Sequence, residues 1–324
     1  MIVTLTANPS MDRTVGLVGP LERGAVLRAI SSTASPAGKG VNVSIALHRF
    51  AGSTLAVLPG RPDEPVVTAL AQQGITVKSV PIAGELRSNI TVTEPDGTTT
   101  KINEPGPTLS ADEWERLAEA VVASARHRGG WVALCGSLPP GVPDDAYAAI
   151  ARAVRDAGVQ VALDTSGPAL GATLAASAVD LIKPNAEELV ELTGAREDPR
   201  DLEEEPRLVA DLARRLVTSG VGAVLCTLGA HGAVLVTPGG VWHAPAPAIR
   251  PRSTVGAGDS SLAGYLLADV RGAQPEERLR RAVAHGAAAA ARSGSEMPDP
   301  SDVHELLPLI PVTAVTLPRT VAGI

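Results

Sequence analysis

The chain reads as an α/β protein, a three-layer domain of parallel strands covered by helices, with a small β excursion near its start. Three observations lead there. From Trp131 onward, short apolar runs ("WVALCG", "VQVALD", "VDLIKP", "AVLCTLG") alternate with helical stretches such as "DDAYAAIARAVRDAG" and "DLARRLVTSG". Strands separated by helices of that length imply crossovers and a parallel sheet covered on both faces. "SNITVTE" and "TTTKIN" behave differently: they alternate, are rich in β-branched residues and are joined by Pro95-Asp96-Gly97. That is a hairpin with one solvated face. Third, 44% of the 324 residues are hydrophobic and 19% charged, which suits a buried core. Aromatics are only 2%, so that core is aliphatic.

In chain order, "MIVTLTA" reads as a short buried strand and "VNVSIALHRF" as a helix. The apolar run "STLAVLP" and a helix from about Glu64 to Gln73 precede the hairpin. "SADEWERLAEAVVASA" opens with a capping box, Ser110 and Glu113, and keeps helical spacing through Trp114, Leu117, Val121 and Ala125. After the alternating region, "GAVLVT" and "GVWHAPA" read as a late hairpin, and a helix opens at Gly258 or Asp259. Another helix runs through "EERLRRAVAHGAAAAARSG", and "VTAVTLP" reads as a closing strand. "EDPRDLEEEP" reads as a charged surface loop. The β excursion takes in about residues 10–35 and 86–104, with no internal repeat.

Several function classes drop out. Net charge is −7 with no Lys/Arg cluster, which argues against nucleic acid and anionic membranes as partners. The start lacks a basic region and long apolar stretch, and no apolar run approaches the roughly 18 residues of a membrane span. A cytoplasmic protein is expected. Cys135 and Cys226 lie in apolar runs and read as core thiols, which suits a reducing compartment. With isolated cysteines and no H-x-x-x-H pair, no zinc site is expected. Gly38-Lys39 is followed by Gly40, so it is not a P-loop; Ser261 stands where a dinucleotide fingerprint needs its third glycine.

Three stretches carry chemistry. In "STVGAGDSSLAG" (253–264), small residues lead into a helix N-terminus, where the amides of residues 256–259 form a natural anion site. Asp259 at its edge suits proton abstraction from an attacking hydroxyl; an acid there is also an ordinary N-cap. In "SPAGKGVNVSIAL", Gly38 and Gly40 flank Lys39 before a helix, which allows close backbone approach to a substrate, with Asn42 available to hydroxyls. A plain glycine-rich connection explains it equally. In "LIKPNAEEL", Asn185 and Glu188 share one side of a first helical turn and would suit hydrated Mg²⁺ or a simple cap.

Together and in this order, these stretches resemble the PfkB-type carbohydrate kinases of the ribokinase-like superfamily. "AGKGVNV" is similar to the family's first signature, "KPNAEEL" to its N-x-x-E motif and "STVGAGDSSLAG" to its second signature. "GSLPPG" (136–141) and "TLGAHGAVL" (227–235) extend the resemblance over nearly the whole chain. It implies a Rossmann-like ribokinase-type domain spanning residues 1–324 with a β-sheet lid, homodimeric through that lid, and MgATP as phosphoryl donor. It implies Asp259 as catalytic base and an anion hole from Gly256, Ala257 and Gly258. Asn185 and Glu188 would organise Mg²⁺, and Thr227, Gly229 and Gly232 would lie beside the nucleotide. K⁺ near Ser253–Val255 is a further implication.

"TLTANPSMDRTV", "LRSNITV" and "KINEPGP" resemble the phosphosugar branch of the family. Asp12, Gly38, Lys39 and Asn42 would then contact the sugar, Arg87 and Lys101 its phosphate, and Ser137 would assist. Arg87 and Lys101 fall on opposite strands of the hairpin, where they could converge on one dianion or serve as solvated edge charges. The implied reaction is ATP-dependent phosphorylation of fructose 1-phosphate at its 6-hydroxyl, with fructose 6-phosphate or tagatose 6-phosphate as alternative acceptors. A non-catalytic sugar-phosphate sensor is the reading from another class. Two departures stand out: Ala37 replaces a usual glycine, and "LPGRPDEPVV" replaces a longer glycine-rich loop.

Overall fold

The computed structural model describes residues 1–316 apart from Gly129. β1 (Ile2–Thr6) leads into β2 (Ser10–Leu17), β3 (Ala29–Ala37) and α1 (Lys39–Arg49). β4 (Thr54–Pro59), α2 (Pro65–Gln72) and β5 (Val77–Val80) follow, and β6 (Arg87–Thr93) with β7 (Thr99–Asn103) forms the expected hairpin. Next come α3 (Ala111–Arg128), β8 (Trp131–Cys135), α4 (Ala146–Asp156), β9 (Gln160–Asp164), α5 (Pro168–Ala176), β10 (Leu181–Ile182) and α6 (Ala186–Thr193). The last part holds α7 (Pro199–Glu204), α8 (Pro206–Thr218), β11 (Val224–Thr227), β12 (Ala233–Thr237) and β13 (Gly240–Ala244). α9 (Ala257–Val270), α10 (Pro275–Ala290), α11 (Pro300–Leu306) and β14 (Thr313–Ala314) complete it.

A ten-stranded sheet runs in the order β14-β13-β12-β11-β10-β9-β8-β1-β4-β5. From β11 to β5 its pairs are parallel, while β12, β13 and β14 add antiparallel strands at one end. Successive strand residues go to opposite faces. Val3, Leu5, Val132 and Leu134 meet Leu117 and Val121 of α3, Ile150 of α4 and Val209 of α8 on one side. Ile2, Trp131, Ala133 and Cys135 meet Val43 and Leu47 of α1, Leu262 of α9 and Leu279 of α10 on the other. These are the three layers. A separate sheet, β3-β2-β6-β7, holds the residues of the expected excursion.

Some local expectations change. "EDPRDLEEEP" contains α7, because Asp198 caps it by accepting from the Arg200 N–H at 2.9 Å and Leu202 is fully buried beneath it. α5 arises where Gly167, at φ 62°, turns the chain into Pro168 at the first helical position. The closing strand is reduced to Thr313–Ala314, and Leu317 and Pro318 of its expected run lie outside the described residues. No helix among the described residues is long and apolar enough to cross a membrane.

α9 and α10 cross closely because Gly264 leaves no room for a side chain: a Cβ there would stand 2.8 Å from the Arg281 carbonyl oxygen. The same contact buries His285, whose ring centroid lies 4.2 Å from that of Phe50. Burial pushes His285 down from 6.5 to about 3. The unfolded chain therefore takes up a proton at pH values where the folded one does not. Stability falls as pH drops below 6.5 toward 3, by roughly 1.4 kcal/mol per pH unit. The urea midpoint is expected to fall from pH 7 to 5, and to fall less in His285→Leu.

Candidate active site

The carboxyl ends of β1, β8, β9, β10 and β11 face one edge of the large sheet, the usual place for a site in parallel α/β folds. Gly38, at φ 119°, turns the chain from β3 into α1, so Lys39 is that helix's first residue. α1 can lie this close to β1 only because Gly40 lacks a side chain; a Cβ would meet the Leu5 carbonyl oxygen at 2.8 Å.

α9 begins at Ala257, one or two residues earlier than the expected start at Gly258 or Asp259, with Gly256 as its cap at φ 78°. Ala257 N–H already makes a long 3.3 Å bond to the Thr254 carbonyl. Among the described residues, the N–H groups of Gly256, Gly258 and Asp259 have no partner. They and the helix dipole form an anion-binding end. Asp259 is not the cap. It sits inside the first turn, 7% exposed, and accepts a 2.7 Å hydrogen bond from Asn42 Nδ2. Burial, with the charge of Asp164 next, pushes its carboxyl up to about 6. A carboxylate of that basicity is ionised at neutral pH yet accepts a proton readily.

Two groups that the sequence reading left out stand beside it. Asp164, at the end of β9, is completely buried and places Oδ1 2.7 Å from Lys39 Nζ and Oδ2 3.4 Å from Lys183 Nζ. Burial works to raise Asp164, but Lys183 and Lys39 together hold it below the usual carboxylate range. For Lys39, burial works downward and Asp164 more than offsets it. Lys183 reaches α9 itself, lying 3.0 Å from where a Cβ on Gly258 would be. Charged residues directly after the buried strands "VQVALD" and "VDLI" were the available signal.

The small sheet brings Asp12 and Asn89 into register on β2 and β6. Asp12 Oδ1 accepts from Asn89 Nδ2 at 2.9 Å and from Ser10 Oγ at 2.8 Å. Asn89 is another residue missed in sequence. Arg87, half-buried, donates to the Asn8 carbonyl at 2.9 Å and the Glu104 carbonyl at 3.0 Å. Lys101 is exposed and pairs with Thr91, four residues along β6 from Arg87. The two cations share a face but stand about 13 Å apart along it; the hairpin register does not bring them together. Ser137 is exposed just after β8, next to Gly136, whose N–H bonds the Asp164 carbonyl at 2.8 Å.

Asn185 and Glu188 form a complete capping box on α6: Glu188 N–H donates to Asn185 Oδ1 at 2.8 Å and Asn185 N–H to Glu188 Oε2 at 2.9 Å. The box uses one carboxylate oxygen and leaves Oε1. Asn185 also bridges to Thr227 at the end of β11. Gly229 and Gly232 bound the turn that follows, and a Cβ on buried Gly232 would run into the Ala244 carbonyl. Among the described residues, no group of three or more His, Cys, Asp or Glu side chains makes a metal cage.

Free amides at the start of α9 beside a buried carboxylate make an arrangement suited to an anion and a proton, and comparison with known proteins gives the family. The model of the pfkB family of carbohydrate kinases matches residues 6–302. A 1-phosphofructokinase of Rhodobacter capsulatus is 36% identical, with 98% of each chain covered. The ATP-dependent 6-phosphofructokinase isozyme 2 of Escherichia coli is 32% identical over 94% of this chain and 97% of that one. Among solved structures, phosphofructokinase-2 from Escherichia coli in complex with potassium superposes with a TM-score of 0.87 at 30% identity, covering 95% of this chain and 98% of the other. The chain belongs to the PfkB family of carbohydrate kinases, with their ribokinase-like α/β fold.

Proposed function

We propose that the chain transfers the γ-phosphoryl group of ATP to the 6-hydroxyl of fructose 1-phosphate, giving fructose 1,6-bisphosphate and ADP. Membership of the family makes it an ATP-dependent sugar kinase, and relatives named 1-phosphofructokinase at 33–36% identity support the acceptor. The observation that carries the chemistry is the pairing of buried Asp259 with free amides at the start of α9.

Asp259 takes the proton of the 6-hydroxyl as that oxygen attacks, and Asn42 fixes which carboxylate oxygen points away from it. The amides of Gly256 and Gly258, with Ala257 completing the turn, stabilise charge on the transferring group, and Lys39 and Lys183 add fixed cations. Asp12, held by Asn89 and Ser10, and the Gly38 turn hold sugar hydroxyls, with Ser137 at the rim. Arg87 holds the 1-phosphate, and Lys101, further out on the small sheet, adds only a distant positive charge. Thr227, Gly229 and Gly232 line the nucleotide side. Glu188 and Asn185 fit a hydrated Mg²⁺, which would offset phosphate charge. The Ser253–Val255 turn is the place for K⁺, to be tested by exchanging K⁺ for Na⁺.

The small sheet acts as a lid over this site and as a dimer contact. By strand alternation, Arg87, Asn89 and Lys101 share one face while Ile102, 54% exposed, lies on the other. A second copy of this chain is the proposed cover. Ile102→Lys is expected to shift sedimentation from dimer to monomer; a wild-type monomer would refute this contact. ATP supply and the free thiols of Cys135 and Cys226 suit the cytoplasm.

A coupled ADP-release assay across fructose 1-phosphate, fructose 6-phosphate and tagatose 6-phosphate tests the acceptor. The relative named 6-phosphofructokinase favours fructose 6-phosphate as the second reading. A higher kcat/KM on either 6-phosphate would decide against fructose 1-phosphate. Because Asp259 must be ionised, kcat is expected to fall about tenfold per pH unit below its value of about 6. A flat profile down to pH 4.5 would exclude it as the base.

A further inference from the structure

We propose that Asp164 is the positioning residue of the transfer step, its one buried carboxylate holding both Lys39 and Lys183 against the start of α9. The proposal rests on the kinase reading above and assigns a role to a residue outside the family signatures quoted earlier.

The geometry is specific. Asp164 Oδ1 accepts a 2.7 Å hydrogen bond from Lys39, Oδ2 stands in ion-pair contact with Lys183 at 3.4 Å without a hydrogen bond, and the side chain has no solvent exposure. The three residues come from separate crossovers: Lys39 opens α1, Asp164 ends β9 and Lys183 follows β10. Lysine is a point charge on a flexible stem, and two such charges near one spot repel each other. A carboxylate between them removes that repulsion and fixes both stems. Lys183 then borders Gly258, the centre of the free amides.

A purely stabilising role is a poor explanation, since a buried ion pair rarely improves on well-packed apolar side chains. The placement makes sense if the lysines must be preset for an incoming anion. Asp164 also faces Asp259. The groups acting on Asp259 are Asp164 from β9, Asn42 and Lys39 from α1, and Lys183 after β10, while Glu188 of α6 acts on Lys39. Removing the charge of Asp164 therefore makes Asp259 a weaker base, a consequence that a merely structural residue would not have.

The test compares Asp164→Asn and Asp164→Glu with the wild-type enzyme. Asp164→Asn is expected to lower kcat about 100-fold, to leave KM for fructose 1-phosphate within about threefold, and to move the acid limb of kcat down by roughly one pH unit. Asp164→Glu keeps the charge but displaces the lysines. It is expected to lose about tenfold in kcat with its acid limb unmoved, and it carries the test if the Asn variant does not fold. Wild-type kcat in either variant would overturn the proposal. So would a loss in Asp164→Asn with an unmoved acid limb, or one restored to wild-type kcat by raising Mg²⁺ alone. Titration of ¹³C-labelled aspartates without sugar separates this proposal from the choice of acceptor: an unmoved Asp259 midpoint in Asp164→Asn defeats it whichever sugar is phosphorylated.

Discussion

Asp259→Asn is expected to lower kcat by about 10³–10⁴ while leaving KM for the sugar phosphate within a few-fold. The substitution keeps the side chain's shape, and its amide oxygen still accepts from Asn42, which bonds Asp259 at 2.7 Å. Only the proton acceptor is lost. Stability should move the other way. Burial raises the Asp259 carboxyl from 3.8 to about 6, so the folded protein holds this proton more tightly than the unfolded one. The cost of ionising it is absent below pH 3.8 and complete above about pH 6. An uncharged replacement removes that cost, so the variant should gain roughly 1–3 kcal/mol at pH 8 and nothing at low pH. Steady-state kinetics and melting curves of the same samples read both effects. Turnover within tenfold of wild type would remove Asp259 from the chemistry.

Opposed signs would mark Asp259 as a group placed for reaction at the expense of the fold, a placement that sequence reasoning reached only in part. Small residues before an acid were visible, but whether Asp259 capped α9 or stood inside it depended on where the helix began. Gly256 in the left-handed region decides that, by starting α9 at Ala257. The alternating strands and helices were legible because each buried strand is a continuous apolar run with its own crossover helix. The Lys39–Asp164–Lys183 cluster was not, because it depends on which parallel strands are neighbours. Asp164 ends, and Lys183 directly follows, strands that pair as Leu163 with Ile182, a match no local pattern records. The hairpin is a similar case. Its strands were clear, yet the turn closing Glu94 N–H on the Thr98 carbonyl at 2.9 Å sets Thr93 opposite Thr99 and thereby Lys101 opposite Thr91. Register, rather than strand identity, separates Lys101 from Arg87.

That separation leads to an unequal result for the two cations. Arg87→Ala is expected to lower kcat/KM for fructose 1-phosphate about 100-fold, mostly through KM, while KM for ATP stays within twofold. Charge-assisted hydrogen bonds of this kind are worth about 1.5–3 kcal/mol, or roughly 10–150-fold. The upper end applies because the same guanidinium also straps the base of the small sheet. It joins the Asn8 carbonyl, on the connection from β1, to the Glu104 carbonyl, on the connection toward α3. Asn8 Nδ2 ties those connections again at Pro105, 2.9 Å away, where Gly106 alone leaves room for the Asn8 amide. Under the proposed function, losing Arg87 removes a phosphate ligand and also loosens the sheet that carries Asp12. Arg87→Lys restores a charge but cannot span two carbonyls, so it should recover less than tenfold. Lys101→Ala, an exposed site about 13 Å away along the sheet, should change kcat/KM no more than threefold. Equal losses at the two positions would mean that both cations grip the phosphate directly, and that the strap at Asn8 and Glu104 adds nothing to catalysis.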